Sequence, residues 1–180
     1  MAFPKHYAET VARMRVPVGI FVAILFIWLS WPDWRSLTIG TPFAFSGILL
    51  RSWAAGHLEK NVRLTVSGPF ARVRNPLYLG SLLVGFGFGV AANSLLVLIL
   101  TGFFFLCFYL PVVKEEERHL RELFPSYQDY QKSVPRLIPL VRPVHRKDSS
   151  FRWNLYSQNR EYQALVAFFL IFLILLSKAA

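Results

Sequence analysis

The chain has 180 residues, 54% of them hydrophobic and 17% charged, with a formal net charge of +10. This balance excludes an ordinary soluble globular domain and fits a single membrane domain spanning residues 1–180. The basic residues fall between apolar runs, where loops meet anionic lipid headgroups, so the positive charge points to a bilayer partner and not to nucleic acid. The single cysteine, Cys107, lies within an apolar run and excludes an internal disulfide. His6, His57, His119 and His145 show no metal-ligand spacing, so no metal is expected.

In chain order, the first apolar run covers residues 16–31 and follows Lys5, Arg13 and Arg15. No small-residue cleavage site follows it. Trp31-Pro32-Asp33-Trp34 does, and tryptophan at a span end is an interfacial anchor, so the run reads as a retained membrane helix. Residues 34–40 read as a short connection, and a second span covers about residues 39–55, with Pro42 in its first turn. Arg51 near its end snorkels to the interface or faces the protein interior. Residues 56–67 are polar without a sustained period and read as a structured loop.

The stretch from Gly68 to Gly80 is rich in turn residues, and Asn75-Pro76 marks a helix start. Asn is a good N-cap, and Pro is favoured where a helix has no use for its missing N–H. Open N–H groups beside Arg72 and Arg74 suit an anion, although anchoring at lipid phosphates explains the same residues. The third span covers about residues 76–92, and its Gly85 and Gly89, four apart, let another helix approach closely. Ala91-Ala92-Asn93-Ser94 makes a tight turn into a fourth span at about residues 95–113, whose exit Pro111 loosens.

A polar helical segment follows. Its spacing pairs Glu117 with Arg121 and puts Leu120, Leu123 and Phe124 on one face. Residues 126–134 read as a second short amphipathic piece, and residues 134–139 as extended. Residues 141–161 form a basic interfacial linker, and residues 162–178 an additional C-terminal membrane helix. The expected fold is therefore all-α and integral to the membrane, with about five transmembrane helices.

Lys and Arg number three before the first span, one after it, four between the second and third, none between the third and fourth, and ten from Lys114 to Arg160. This alternation puts the N-terminus, the Gly68–Gly80 stretch and the glutamates all on the cytoplasmic side. The short hairpin of the third and fourth spans then brings the last two together.

No Ser/His/Asp, Cys/His or metal cluster is apparent. What remains is an anion-friendly helix start, arginines, the aromatics Phe70 and Tyr78, and Glu115 to Glu117. These suit a polar, cationic cofactor beside lipid, and S-adenosylmethionine fits that description. Methyl transfer to an ionised carboxylate needs alignment and removal of water, not a general base. On composition alone, however, the glutamates also read as an exposed, salt-bridged helix turn.

Arg74-Asn75-Pro76-Leu77-Tyr78-Leu79-Gly80, followed one hairpin later by Glu116-Glu117-Arg118-His119-Leu120, resembles the isoprenylcysteine carboxyl methyltransferase family, which is related to the phospholipid methyltransferases. Ser67-Gly68-Pro69-Phe70, Tyr127-Gln128-Asp129-Tyr130 and the Val134–Pro139 segment resemble it too, so the likeness covers residues 56–139 as a methyltransferase core. It implies a bacterial-type inner-membrane enzyme with a cytoplasmic-face S-adenosylmethionine site and a lipophilic or lipidated substrate. By position, Val62, Arg63, Leu64, Thr65, Phe70, Asn75, Pro76, Leu77, Tyr78 and Glu116 would line the cofactor pocket. Arg74, Asn75, Tyr78, Glu116 and Glu117 would position the reactants.

Two departures stand out. Asn75 replaces the motif histidine, and Val112 stands where the eukaryotic prenylcysteine enzymes carry an arginine facing the substrate carboxylate. Arg51, His57 and Lys60 are the substitutes available for that charge. The expected activity is carboxylate O-methylation. A lipid amine N-methyltransferase, a sterol-reductase-like NADPH enzyme and a non-catalytic membrane scaffold are the alternatives. Because Asn75 cannot titrate, the pH profile of activity should show no histidine-like step, near about pH 6.5, that is assignable to this position. A step there that disappears in Asn75→Ala would contradict this.

Overall fold

The computed structural model describes residues 19–144 and 150–180. Lys5, Arg13, Arg15, residues 16–18 of the first expected span and residues 145–149 of the linker lie outside the described residues. The helices are α1 (Gly19–Trp28), α2 (Trp34–Ala55), α3 (Pro76–Ala91), α4 (Leu95–Leu123), α5 (Tyr127–Ser133), α6 (Trp153–Gln158) and α7 (Tyr162–Ala179). Among the described residues there is no strand. By length and composition, α4 and α7 are able to cross a membrane, whereas α1 and α3 are shorter apolar helices.

The centre of the fold is the α2–α3 contact, which is built from small residues. Gly40, Ala44 and Gly47 of α2 meet Gly80, Gly87 and Ala91 of α3. A Cβ on Gly47 would lie 2.6 Å from the Gly80 carbonyl oxygen, and one on Gly80 would lie 2.7 Å from that of Gly47. The backbones therefore touch directly, as apolar helices do when side-chain bulk is absent from the seam. Gly85 and Gly89, expected to admit a neighbouring helix, face α4, where an added Cβ would lie 2.8 Å from Thr101 or Leu98. The glycines of α3 thus serve two opposite seams. Leu37, Ile48, Phe88, Phe168 and Leu175 fill the space around this contact and bring in α7.

Two boundaries differ from the sequence reading. Helix α2 begins at Trp34, because Asp33 caps it: the Asp33 side chain accepts from the Ser36 N–H and the Ser36 hydroxyl accepts from the Asp33 N–H. Pro42 consequently lies inside α2 and not in its first turn. Helix α4 runs unbroken through Pro111 to Leu123. A π turn at Phe105–Tyr109 precedes the proline, and this wider turn takes up the crowding that the ring imposes on the carbonyls behind it. The glutamates therefore ride on the same rigid helix as the fourth apolar run.

The end of the bundle away from the glutamates is tied by polar contacts. The Ser36 hydroxyl donates to the Ala91 carbonyl, the Trp31 N–H to the Ala92 carbonyl, and the Lys178 ammonium to the carbonyls of Ile27 and Ser30 at the end of α1. Lys178 supplies a cation where the α1 dipole is negative.

Gly47→Ala should destabilise the detergent-solubilised protein by roughly 1–3 kcal/mol, the range for overpacking a tight seam. Gly102→Ala, where an added Cβ meets nothing within 4 Å, should leave the melting temperature unchanged or raise it. Thermal unfolding of the two variants side by side tests the seam.

Candidate active site

The site is assembled where α3 starts, where α4 leaves its apolar part, and where the chain returns after α5. Residues 71–75 lie against the extended segment after α5. Arg74 N–H donates to the Pro135 carbonyl at 2.9 Å and Asn75 N–H to the Arg136 carbonyl at 3.3 Å, and the Leu140 N–H reaches the Arg72 carbonyl at 3.0 Å. Tyr127, Tyr130 and Val134 form a small core with Leu64, Val66, Leu120 and Phe124, and the Tyr130 hydroxyl donates to the Phe70 carbonyl. Leu123, expected on the same face, is instead exposed.

Beneath this surface lies Glu117, with no solvent exposure. The Arg136 guanidinium donates to both its oxygens, at 2.6 to 3.1 Å, and Asn75 Nδ2 donates at 2.9 Å. Arg74 Nη1 stands 3.5 Å away. The sequence spacing pairs Glu117 with Arg121, but Arg121 Nε donates to the Glu117 carbonyl instead. A buried carboxylate takes the partners that satisfy its oxygens without solvent, and Arg136 and Asn75 do so from two other segments. Asn75 occupies the N-cap position of α3 without capping it, because its side chain is spent on Glu117 and on the Arg136 carbonyl. Arg136 was visible in sequence only as part of the Val134–Pro139 likeness and carried no assigned role.

Above the cluster is a cavity of about 420 Å³. Arg63, Leu64, Thr65, Phe70, Arg74, Asn75, Pro76, Leu77, Tyr78 and Glu116 all line it, as does Lys60. The Tyr78 hydroxyl donates to Glu116 Oε2 at 2.7 Å, joining the start of α3 to α4. Val62 does not join them: it is 76% exposed at the tip of its turn. His57 is buried away from the cavity, with Nδ1 2.9 Å from the Trp53 carbonyl and its ring against Phe151 and Gly68. Gly68 has φ of +58°, and an added Cβ there would lie 2.7 Å from the imidazole.

Arg51 lies elsewhere again. It lines a second, mostly apolar cavity of about 350 Å³ among α1, α2, α3, α4 and α7. It does not snorkel. Its Nε and Nη2 donate to the Glu161 carboxylate at 2.5 and 3.1 Å, and its Nη1 donates to the Ser81 hydroxyl and the Leu77 carbonyl. The two cavities lie back to back across the first turn of α3: Leu77 lines the first and holds Arg51 of the second. Tyr78 of the first meets Tyr109 of the second edge to face, with ring centroids 5.8 Å apart.

Arg74 and Arg136 bring two positive charges to a single carboxylate, Glu117. The Arg74 side chain is 9% exposed, and its Nε and Nη1 make no hydrogen bond. Tyr127, below it, is held neutral. Burial, reinforced by Glu117, pushes its phenol up to about 12 from an ordinary 10.0, against the opposing pull of Arg74.

Comparison with known proteins places the chain in a family. The sequence model described as phospholipid methyltransferase matches residues 15–127, and the chain belongs to that family. The chain is 29% identical over 133 residues to the cobalt-zinc-cadmium resistance protein CzcN of Cupriavidus metallidurans, covering 73% of this chain and 61% of that protein. It is 25% identical over 172 residues to the nickel-cobalt-cadmium resistance protein NccN of Alcaligenes xylosoxydans xylosoxydans, covering 89% and 80%. No solved structure matches.

Glu117→Ala should cost about 3 kcal/mol of stability, because it leaves the nearly buried Arg74 and the half-buried Arg136 without their counter-ion. Thermal unfolding should show this well beyond the effect of Glu122→Ala. The Tyr127 phenol titrates higher folded than unfolded, so its contribution is complete below pH 10 and is lost as pH rises towards about 12. Tyr127→Phe should flatten the fall in melting temperature over that interval.

Proposed function

We propose that this protein is a multi-pass enzyme of a bacterial inner membrane that transfers a methyl group from S-adenosylmethionine to the carboxylate of a lipophilic acceptor. One observation carries the reading: Arg74 and the first turn of α3, Asn75 to Tyr78, line the first cavity side by side, together with Glu116. Both features offer donors to one anionic group, and the cofactor's carboxylate suits them. Glu116 and Tyr78 offer an acceptor and an aromatic face on the same wall, suited to an amino group or ribose diol and to a sulfonium. Leu64, Phe70 and Leu77 offer apolar cover.

When bound, the cofactor supplies an electrophilic methyl group on sulfur. The chain's part is to bind, orient and exclude water. The Glu117 cluster fixes Arg74 and the start of α3, and the Tyr78–Glu116 bond fixes α3 against α4. An ionised carboxylate is already a nucleophile, so alignment and desolvation are the contributions required of the protein. The second cavity is the chamber for the acceptor, with apolar walls for a lipid chain and the Tyr78–Tyr109 contact as the partition. Helices α1, α2, α3, the apolar part of α4 and α7 are the five spans. The Lys/Arg distribution sets the N-terminus and the site on the cytoplasmic side. The acceptor then arrives from the bilayer and the cofactor from the cytoplasm.

A second reading has one observation in its favour: His119 lines the first cavity and offers a proton acceptor for an amine substrate. It predicts N-methylation of a lipid amine.

Binding of S-adenosylmethionine and of NADPH to the purified protein tests the cofactor. S-adenosylmethionine should bind, and Glu116→Ala should weaken it roughly tenfold or more, the scale of a hydrogen bond to a charged group. Binding of NADPH alone, or of neither, would overturn the proposal. Methyl transfer to a lipid carboxylic acid but not to phosphatidylethanolamine should follow, and the reverse preference would establish the amine reading.

A further inference from the structure

We infer that Glu161 is a selectivity and positioning residue that cancels the charge of Arg51 inside the acceptor cavity, so that the cavity does not fill with lipid anions when no cofactor is bound. The inference rests on the proposed reading of the second cavity as the acceptor chamber. It starts from an anomaly in that cavity. Its walls are apolar, with Val22, Phe26, Phe88, Phe104, Phe168 and Ile171 among them, yet one end carries an arginine. An unpaired guanidinium there would attract any fatty acid in the bilayer, because attraction between charges is strong where water is scarce.

Glu161 prevents this from behind. Its carboxylate, only 6% exposed, takes the Nε and Nη2 edge of Arg51, while Arg51 and Ser81 but not Glu161 reach the cavity lining. The pair is neutral, and the guanidinium is held with Nη1 towards Ser81 at the cavity wall. Glu161 stands one residue before α7, outside residues 15–127 matched by the family, so the charge of the chamber is set by a part of the chain beyond that match. With Arg51 and Glu161 cancelling, an acceptor carboxylate entering the chamber carries the odd charge. A sulfonium cofactor bound in the first cavity would offset it. Methyl transfer turns carboxylate and sulfonium into a neutral ester and a neutral thioether. The charge imbalance is therefore absent before the substrates bind and after the products form.

The test uses the full chain, purified without cofactor, with palmitate and hexadecanol as probes of equal chain length and different charge. Wild type should bind the two within about threefold of each other. Glu161→Gln should bind palmitate roughly tenfold tighter than wild type and hexadecanol unchanged, a modest share of the bare Coulomb attraction because the carboxylate must shed water. Glu161→Asp should restore the wild-type ratio. Arg51→Met/Glu161→Leu, which replaces the pair by apolar side chains and avoids an orphaned charge, should keep a cooperative melt and bind hexadecanol in preference to palmitate. Ala167→Phe, which fills the chamber from α7, should weaken both probes. A palmitate-to-hexadecanol ratio that is the same in wild type and Glu161→Gln would overturn the inference, as would a strong palmitate preference already present in wild type. S-adenosylmethionine binding, measured on the same samples, separates the two proposals: its absence counts against the function proposed above, whereas an unmoved palmitate ratio counts against the role of Glu161.

Discussion

A carboxylate with no access to water must have its charge met in full, and the site depends on how Glu117 meets that demand. Its two oxygens collect Arg136 from the segment after α5 and Asn75 from the start of α3, with Arg74 close by. Glu117, Arg136 and the adjacent Arg74 and Asn75 come from three separate segments, so the cluster is a clasp that closes only when the α3–α4 hairpin and the returning chain are both in place. The energetic asymmetry of buried ion pairs makes such a clasp specific: assembled, it is close to neutral in free energy, but with one member missing it is strongly unfavourable. Arg74, the second guanidinium on this one carboxylate, also lines the cavity and so ties the clasp to the pocket.

The clasp holds because the helices beneath it approach without slack. Glycine and alanine on α2 and α3 let the two backbones meet, and that fixes the height of the first turn of α3 relative to Arg51 on α2. Leu77 then serves both sides, its carbonyl holding Arg51 and its residue lining the first cavity. A single helical turn is thereby made into the wall between two chambers of different character.

Much of this was legible in the chain. The apolar runs and the tight turn at residues 91–94 follow from local rules of span and turn, and of the ten pocket positions implied by the family resemblance nine line one cavity, together with Arg74 and Lys60. Most of the misses are non-local. Helical spacing offers Arg121 to Glu117, but the partner taken is nineteen residues away, because burial selects for satisfied oxygens and not for proximity in sequence. Arg51 read as a snorkelling residue because its counter-ion lies 110 positions later. Asn75 read as a cap because the carboxylate that claims its amide is 42 residues on. Val62 was drawn into the pocket by its neighbours' likeness to a family, whereas the turn around Asn61, with φ of +60°, rotates it outward. One boundary signal was local and overlooked: Asp33 and Ser36 form a reciprocal cap that starts α2 earlier than its apolar run does.

The unbroken course of α4 has a mechanical meaning. One rod carries the apolar residues that meet the bilayer and, further along, the Glu116 carboxylate that faces the cavity, with the π turn as the point of give between them. A helix answers a mismatch between its apolar length and the bilayer thickness by tilting. In a bilayer, tilt of the apolar part of this rod would reach Glu116 and its bond with Tyr78 reduced by whatever the π turn absorbs, so the five residues Phe105–Tyr109 are where the outer shape of the protein and the shape of the pocket would be uncoupled.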